Sequence, residues 1–420
     1  MAGYVEDRWI KKKKDPVTGK RERTERYGKG MRYRVAGIPG VRDRSFETLE
    51  DAKGWLRRSS TDEERGEFVD PRDGSIILED YIEKYWLPGQ GGAVKTRAGL
   101  DQKVRLHIIP HLGKLPLKSV AVSEIRAYII TLANSISPAY ARGVLTTLST
   151  IFETAVDDKR LVRNPMRSQS VRWPKAVDVR RNAWALETAL QMRDEISDRY
   201  RITVVLGVGC GLRQGEAFGV SPEDIDYERG VLHVRKQVQA IKGRLYFTLP
   251  KGGKTRTVDM PESVAGELKA HSEKYPASEV VLPWGEPGKP EKKFSLLLTT
   301  SRGNAIAVNT YNTYMWKPAL ARVGVIPPQL EGAKPWQWEA AHRDGFHVLR
   351  HTYASVVLEA GESVVTLARW LGHSSPTITL DHYAHFMPEA GGKGRRAIDG
   401  LLGGRGSEAS GPNSPDSPQG

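Results

Sequence analysis

The sequence predicts a mainly α-helical protein with small β-sheets, an α+β chain divided among several domains. Three observations favour this class: the length, long stretches of helical periodicity, and short strand candidates between glycine-rich turns. At 420 residues the chain is too long for one average domain. Charged residues make up 27% and apolar residues 39%, which allows buried cores beneath a polar surface.

The charge balance indicates a polyanionic partner. The formal net charge is +14 and the pI about 9.6, so the surface field attracts polyanions, nucleic acid first among them. Some basic proteins have no nucleic-acid role. No run approaches the ~18 apolar residues of a membrane-spanning helix, and no apolar segment follows the basic N-terminus as in a secretory signal. The single cysteine, Cys210, excludes an internal disulfide framework and favours a reducing cytoplasm.

The N-terminal stretch carries most of the charge excess. Residues 1–60 contain 17 Lys or Arg and 9 Asp or Glu. Residues 31–35 alternate as in a strand, and residues 46–58 have helical spacing. Two interpretations stay open: a small strand, strand, helix unit, or a solvated basic arm without a fixed fold. Lysines 11–14 are expected to be flexible in both.

The next region, residues 76–173, has a helical pattern. Ser137 and Pro138 are typical of an N-cap and a first helical residue. Apolar side chains recur behind them at helix spacing: Val144, Leu145, Leu148, Ile151, Phe152, Ala155 and Val156. Asn164 and Pro165 close the pattern, and the chain to residue 175 is expected to be a linker.

The third region, residues 182–402, mixes helices with strands. Helices are expected at 190–196 and 202–208, strands at 231–235 and 256–258, and loops at 285–294 and 326–340. The chain beyond residue 402 is rich in Gly, Ser and Pro and predicts a disordered tail. The short apolar stretch at 398–402 either docks on a neighbouring molecule or is an exposed, fraying helix.

Two arginines, two histidines and a tyrosine stand in an order that suits phosphodiester chemistry. An enzyme that stabilises a five-coordinate phosphate without a metal needs fixed cations and hydrogen-bond donors, and arginine can hold two phosphate oxygens at once. Arg213 and Arg350 are the candidates. His347 lies three residues before Arg350 on a predicted helix, so both point to one face. Asp344 is available as its cap.

Residues typical of helix ends place the other two candidate side chains, His373 and Tyr383. Gly372 is expected to end a helix in the left-handed conformation, so His373 follows a fixed stop. Ser375 and Pro376 predict the start of a new helix, through residue 386, that carries Tyr383. Any one of these residues alone is more often a surface or packing residue.

A metal site and a nucleotide-binding loop are less compatible with the sequence. His347 and His351 have the spacing of a metal pair, but Arg350 would put a cation beside the ion, and no Glu follows His347. Gly207, Gly209 and Gly211 lack the Gly-Lys-Ser/Thr of a phosphate-binding loop. Cys210 is expected to be a buried small hydrophobe. No metal or nucleotide cofactor is implied.

Taken together, the motifs resemble the tyrosine recombinases, also called lambda-type integrases. They are Gly-Leu-Arg213-x-x-Glu216, His347-x-x-Arg350-His351, Leu-Gly-His373 and Tyr383-Ala-His385. The resemblance implies an arm-type DNA-binding unit at 1–65, a helical core-binding domain at 75–175, a mixed α/β catalytic domain at 180–402 and a disordered tail at 403–420. The motifs themselves cover about residues 180–390; further upstream the resemblance is carried by residues 161–165 and by position in the chain.

The resemblance also implies residue roles. Tyr383 would be the nucleophile, and Arg213 and Arg350 would clamp the phosphate. His347 and His373 would donate hydrogen bonds or transfer protons, with His347 a candidate base and Glu216 an orienting group. Lys251, or alternatively Lys254, would sit on a β-hairpin as general acid, and His351 either faces the site or packs the helix. The proposed DNA-binding residues of the N-terminal unit are Arg32, Arg34 and Arg44.

The implied function is site-specific DNA recombination by a phage or mobile-element integrase, through a 3′-phosphotyrosyl intermediate. The alternatives are a type IB topoisomerase-like enzyme and a non-catalytic DNA-binding regulator. The implied partners are double-stranded DNA attachment sites, three further copies of the chain in a tetramer on paired sites, and an excision factor or a host DNA-bending protein. No membrane partner is expected.

Overall fold

A computed structural model describes residues 3–16, 18–65, 68–70, 72–175, 183–340, 342–386 and 398. The chain divides into two compact units, Met1–Asp178 and Val179–Gly420. None of the described helices is long and apolar enough to cross a membrane. The predicted tail at 403–420 and the residues Leu401 and Leu402 lie outside the described residues, and Ile398 is helical and exposed.

The first unit begins with five short strands and one helix. They are β1 (Tyr4–Asp7), β2 (Ile10–Lys14), β3 (Arg21–Arg23), β4 (Tyr33–Ala36), β5 (Arg44–Phe46) and α1 (Leu49–Glu64). β1, β4 and β5 form one antiparallel sheet, and β2 and β3 form a separate hairpin. The expectation that lysines 11–14 are flexible was wrong, because they belong to β2. A fixed strand and helix fold therefore replaces the alternative of an unstructured arm.

A small core holds this N-terminal fold together. Val35, Ile38 and Ala52 are buried between the sheet and α1. Thr48 caps α1, since its hydroxyl accepts a hydrogen bond from the backbone of Asp51. The helix begins later than its apolar spacing predicts, at Leu49 rather than at residue 46, because this cap fixes its start.

The rest of the first unit is helical. Its α-helices are α2 (Leu78–Tyr81), α3 (Val94–Lys103), α4 (Ile109–Leu112), α5 (Val122–Ser135) and α6 (Pro138–Asp157). π-helical turns extend α2 at Ile82–Trp86 and α3 at Val104–Ile108. Ser137 caps α6 through the Tyr140 amide, with Pro138 as the first helical residue, as predicted. The predicted apolar stripe of α6 is buried in the core, except for partly buried Val156.

The second unit mixes helices and strands. Its helices are α7 (Leu186–Glu195), α8 (Arg201–Cys210), α9 (Gln214–Ala217), α10 (Glu262–Lys274), α11 (Val308–Tyr311), α12 (Lys317–Val323), α13 (His347–Glu359), α14 (Val364–Leu371) and α15 (Pro376–Tyr383), with a further turn of 3₁₀ helix at Ala384–Phe386. Its strands are β6 (Ile225–Asp226), β7 (Val231–Val234), β8 (Gln237–Ile241), β9 (Arg244–Thr248), β10 (Arg256–Asp259), β11 (Ser278–Pro283) and β12 (Glu291–Leu296).

The strands of the second unit pair into small antiparallel sheets. The strand orders are β10-β7-β6, β8-β9 and β11-β12. The predicted strands at 231–235 and 256–258 correspond to β7 and β10. The predicted loop at 285–294 was partly wrong, because β12 begins at Glu291 and pairs with β11. Residues 326–340 form turns and irregular chain, as expected.

Helices α8 and α13 form the centre of the second core. A Cβ atom on Gly207 of α8 would lie 2.7 Å from Leu349 Cδ1 of α13. The helices can therefore approach this closely because residue 207 has no side chain. The packing of these two helices fixes the position of residues 211–216, which follow α8. It also fixes the side chains that project from α13.

Candidate active site

A cleft of about 1120 Å³ opens in the second unit. Its lining includes all six catalytic candidates of the sequence: Arg213, Lys251, His347, Arg350, His373 and Tyr383. Lys254 and Arg256 line it too. Residues that are far apart in the sequence thus meet around one space.

Arg350 lies at the bottom of this cleft and ties two helix ends together. Its Nη1 donates to the carbonyl oxygen of Gly211 at 2.8 Å, and its Nη2 donates to the carbonyl oxygen of Leu371. Gly211 caps α8 and Gly372 caps α14, both with left-handed backbone (φ 62° and 65°), as predicted for Gly372. The carbonyl ends of both helices, which carry partial negative charge, therefore face the guanidinium.

One nitrogen of the buried Arg350 guanidinium bonds to none of the described residues. Arg350 is 0% exposed, and among the described residues its Nε has no hydrogen-bond partner. Burial and the nearby charge of Arg213 lower the pKa of Arg350 to about 9, against the opposing effect of Glu216. Arg350 is therefore protonated at neutral pH, and an anion in the cleft could occupy the unpaired donor.

Glu216 connects two further arginines. The Arg213 backbone amide donates to Glu216 Oε2 at 2.9 Å, and Arg213 Nη1 donates to Oε1 at 3.0 Å. Arg256 donates from Nη1 to Oε1 at 2.9 Å and from Nη2 to Oε2 at 2.7 Å. The Arg213 side chain stays 21% exposed to the cleft. Glu216 thus sits behind the cleft and holds the arginine that faces it through two hydrogen bonds.

The ionisation of Glu216 depends on these arginines. Burial raises its pKa, but hydrogen bonding and charge from Arg256, followed by the charges of Arg213 and Arg350, outweigh burial and lower the pKa to about 2. The carboxylate is therefore charged throughout the neutral range. A buried charge of this kind is tolerated because it is paired on both oxygens.

Tyr383 contacts a histidine of α13. The Tyr383 hydroxyl is hydrogen-bonded to His351 Nδ1 at 2.6 Å, and Tyr383 is 1% exposed. The His347 and His351 rings meet edge to face with centroids 4.8 Å apart. His347 is exposed, whereas His351 is buried. One turn of α13 therefore presents one imidazole to the cleft and one to the tyrosine.

The helix starts around these residues differ in how they are capped. The prediction that Asp344 caps α13 was wrong: Phe346 is the N-cap and makes no side-chain cap hydrogen bond. The Asp344 carbonyl instead accepts from Trp316 Nε1 at 2.9 Å. Ser375 and Pro376 start α15 as predicted, although α-helix gives way to 3₁₀ helix after Tyr383.

His373 and the lysines approach the cleft from other elements. His373 Nδ1 and Thr379 Oγ1 are 2.8 Å apart, and Thr379 is fully buried, so a fixed hydroxyl orients this imidazole. Lys251 and Lys254 lie on the exposed turn between β9 and β10, where Gly252 and Gly253 have φ of 87° and 72°. Both lysines line the cleft, and the choice between them stays open.

The sequence interpretation missed Arg256. Besides its pairing with Glu216, Arg256 Nε donates to the Trp370 carbonyl at 2.7 Å. This arginine links β10, the carboxylate behind Arg213 and the end of α14 just before His373. Residues 256–258 were predicted only as a strand, and no local pattern indicates a partner 40 residues away. Cys210 is fully buried as expected, and burial raises the pKa of its thiol to about 12.

Sequence comparison matches residues 183–389 to the phage integrase family. Residues 183–389 form a domain of this family. The chain is 32% identical over 263 residues to a XerC-like tyrosine recombinase of Caldanaerobacter subterraneus subsp. tengcongensis, a match that spans 58% of this chain and 61% of that protein. It is 26% identical over 373 residues to the integrase of Mycobacterium phage D29, covering 86% of this chain and 91% of the phage protein.

Solved structures of integrases have the same fold as this chain. The Tn1549 transposon integrase in complex with transposon right end DNA superimposes with a TM-score of 0.61 at 20% identity, over 78% of this chain and 100% of that one. The lambda integrase tetramer bound to a Holliday junction gives a TM-score of 0.54 at 18% identity, over 86% of this chain and 93% of that one. The mixed α/β architecture with small sheets predicted from the sequence is thereby confirmed.

Proposed function

We propose that this chain is a tyrosine recombinase and acts as a site-specific integrase of a phage or another mobile element. It cuts and rejoins DNA strands through a 3′-phosphotyrosyl intermediate. The observation that carries the proposal is the convergence of two arginines, two histidines and a lysine on the cleft that contains Tyr383. The similarity to phage and transposon integrases supports the assignment to mobile elements.

The scissile phosphate binds between Arg213 and Arg350. Arg350 offers its unpaired Nε from the bottom of the cleft, and Arg213 offers a partly exposed fork. The two guanidiniums neutralise the non-bridging oxygens, where charge grows in the five-coordinate transition state. His347, exposed to the cleft, and His373, oriented by Thr379, complete the set of donors to these oxygens.

Strand cleavage then exchanges one phosphate ester for another. The Tyr383 oxygen forms a bond to phosphorus as the bond from phosphorus to the 5′-oxygen breaks. The phenol proton leaves to a base, and the 5′-oxygen takes a proton from Lys251 on its exposed turn. Attack by a second 5′-hydroxyl reverses these changes and reseals the strand, so the exchange needs neither ATP nor a metal.

The rest of the chain supplies DNA contacts. We propose that residues 1–65 bind arm-type sites, 75–175 bind the core site and 180–402 carry out cleavage, with double-stranded attachment sites as substrate. Four copies would assemble on paired sites in the cytoplasm. The lambda integrase tetramer bound to a Holliday junction supports this number of copies. The net charge of +14 supports affinity for the DNA backbone. An excision factor or host bending protein stays a prediction.

A suicide substrate tests this function. A labelled DNA duplex with a nick near the cleavage point releases a short fragment after attack, so the covalent protein–DNA adduct accumulates on a denaturing gel. The native chain should form the adduct and Tyr383→Phe should not, while binding the duplex equally well. An adduct of unchanged yield in Tyr383→Phe would refute the nucleophile.

A second assay separates the integrase from related activities. Recombination between two attachment sites should require both sites, whereas efficient relaxation of supercoiled DNA without matched sites would indicate a topoisomerase-like enzyme. Binding without any adduct would indicate a DNA-binding regulator.

A further inference from the structure

The hydrogen bond between Tyr383 and His351 suggests a role for a histidine outside the set that lines the cleft. Tyr383 Oη and His351 Nδ1 are 2.6 Å apart, and both side chains are buried. This distance is within the range of hydrogen bonds across which protons pass. His347 lies one helical turn before His351 but is exposed on the cleft side.

We propose that His351, rather than His347, is the catalytic residue that accepts the phenolic proton of Tyr383 during strand cleavage. This inference rests on the proposed function, because it assigns a step of that reaction. In the resting state His351 carries its proton on Nε2, so that Nδ1 accepts the hydrogen bond from the hydroxyl.

The proton balance of the step closes within the site. As the tyrosine oxygen bonds to phosphorus, its proton moves to His351 Nδ1 and the imidazole becomes an imidazolium. The departing 5′-oxygen receives a different proton from Lys251. In the resealing step His351 returns its proton to the tyrosine oxygen as the phosphotyrosyl bond breaks, and Lys251 recovers its own from the attacking 5′-hydroxyl.

The geometry gives the two histidines of α13 separate tasks. Helical spacing places His347 and His351 on one face, with ring centroids 4.8 Å apart and planes at 87°. The inner imidazole touches the nucleophile, and the outer one faces the space where the phosphate would bind. An inner base is protected from solvent, which keeps its proton transfer coupled to attack by the tyrosine.

The test compares single-turnover adduct formation by the full-length chain and by His351→Phe and His351→Asn variants, on the nicked duplex. Loss of a base typically slows a reaction by about 10²- to 10⁴-fold, and we expect a loss of this size in both variants with unchanged DNA affinity. Asn keeps a hydrogen-bond acceptor near the tyrosine but cannot take its proton. A native rate in either variant would overturn the proposal.

A fluorinated tyrosine at position 383 distinguishes proton transfer from packing. A fluorotyrosine whose phenol ionises near neutral pH needs no base, so its incorporation should restore adduct formation in His351→Asn to within about tenfold of the fluorinated parent, an order set by the general-base contribution. The matched control, His347→Asn, should not be restored, because it removes a phosphate ligand. Failure to restore His351→Asn would overturn the proposal.

The outcome is separable from that of the proposed function. If the native chain forms no adduct, the recombinase assignment fails. If the native chain forms an adduct that Tyr383→Phe abolishes, the assignment stands and the two fluorotyrosine experiments decide the role of His351 alone.

Discussion

Arg256, in the wall of the cleft, and Glu216, behind it, form a two-point ion pair with oxygen to nitrogen distances of 2.9 and 2.7 Å. Glu216 is 1% exposed, and the Arg256 side chain is 7% exposed. Because Glu216 also binds the backbone and side chain of Arg213, the position of one cleft-facing arginine depends on a strand residue further along the chain. A second hydrogen bond of Arg256, to the Trp370 carbonyl, extends this dependence to the chain before His373.

We expect Arg256→Gln to destabilise the chain and to slow cleavage. Removing one member of a buried ion pair typically costs about 3–5 kcal/mol, because the partner charge stays buried. Urea unfolding and adduct formation measure the two effects. Arg244→Gln, an exposed arginine on β9, is the matched control and should change stability by no more than about 0.5 kcal/mol. Equal stability of both variants would contradict the structural role of the pair.

Acid should weaken the second unit through Glu216. Its pKa in the folded state, about 2, lies below the ordinary value of 4.5. The carboxylate therefore contributes stability that is fully present above pH 4.5 and is lost as the pH falls toward 2. Urea midpoints measured from pH 6 downward should fall in this window. The loss should be smaller in Glu216→Gln, which begins less stable; an identical slope in this variant would exclude Glu216 as the titrating group.

Arg350→Ala should lose both cleavage and stability. The Arg350 guanidinium donates to two helix-end carbonyls, and each carbonyl left without a donor costs about 1–3 kcal/mol. Arg213→Ala is the comparison, because its side chain is partly exposed and bonds to a carboxylate that keeps Arg256. We expect both variants to lose adduct formation and to keep most of their DNA affinity, but only Arg350→Ala to show a markedly lower urea midpoint. Equal midpoints would argue against the role of Arg350 in joining the helix ends.

A DNA substrate with a changed leaving group distinguishes Lys251 from Lys254 as the general acid. If Lys251 donates the proton to the 5′-oxygen, Lys251→Ala should cleave ordinary DNA slowly and recover on a duplex with a 5′-bridging sulfur, because a thiolate leaves without a proton. Lys254→Ala should be close to the native rate on both substrates. The reverse pattern, measured by single-turnover adduct formation, would assign the general acid to Lys254.

The N-terminal unit should bind DNA through its β2–β3 hairpin more than through the arginines chosen from the sequence. Arg32 is bonded to Asp7 and Arg34 to Asp43, while Arg44 lies 4.6 Å from the centre of the Trp55 ring. The hairpin carries several exposed cations instead: Lys12, Lys13, Lys14, Arg21 and Arg23.

A double substitution tests the hairpin. Lys13→Ala with Arg21→Ala should lower affinity for arm-type sites and reduce the slope of log affinity against log salt by about one for each phosphate that is no longer neutralised. Cleavage at a core site should not change. Arg32→Ala with Arg34→Ala, which removes the same charge, should have the smaller effect on arm-site affinity. The opposite ranking would favour Arg32 and Arg34 as the DNA-binding residues.

Local patterns predicted the parts of the site that depend on neighbouring residues. Gly372 and the Ser375–Pro376 pair fix the positions of His373 and Tyr383 through helix ends, which obey short-range rules. The prediction that Asp344 caps α13 was wrong because many helices begin without a side-chain cap. The position of the N-cap, Phe346, is set by packing against the core. The role of Arg256 was missed because its partners are distant in sequence. The β2–β3 hairpin was missed because its composition is typical of solvated chain.

The two helix ends closed by Arg350 also bear on how related sequences should be interpreted. A descendant without its tyrosine, and so without any chemistry, would still be less stable if it lost the cation between the carbonyls of Gly211 and Leu371. Retention of arginine at this position is therefore evidence for an intact scaffold, whereas the roles proposed for residues 351 and 383 make these two positions the better markers of active members of the group.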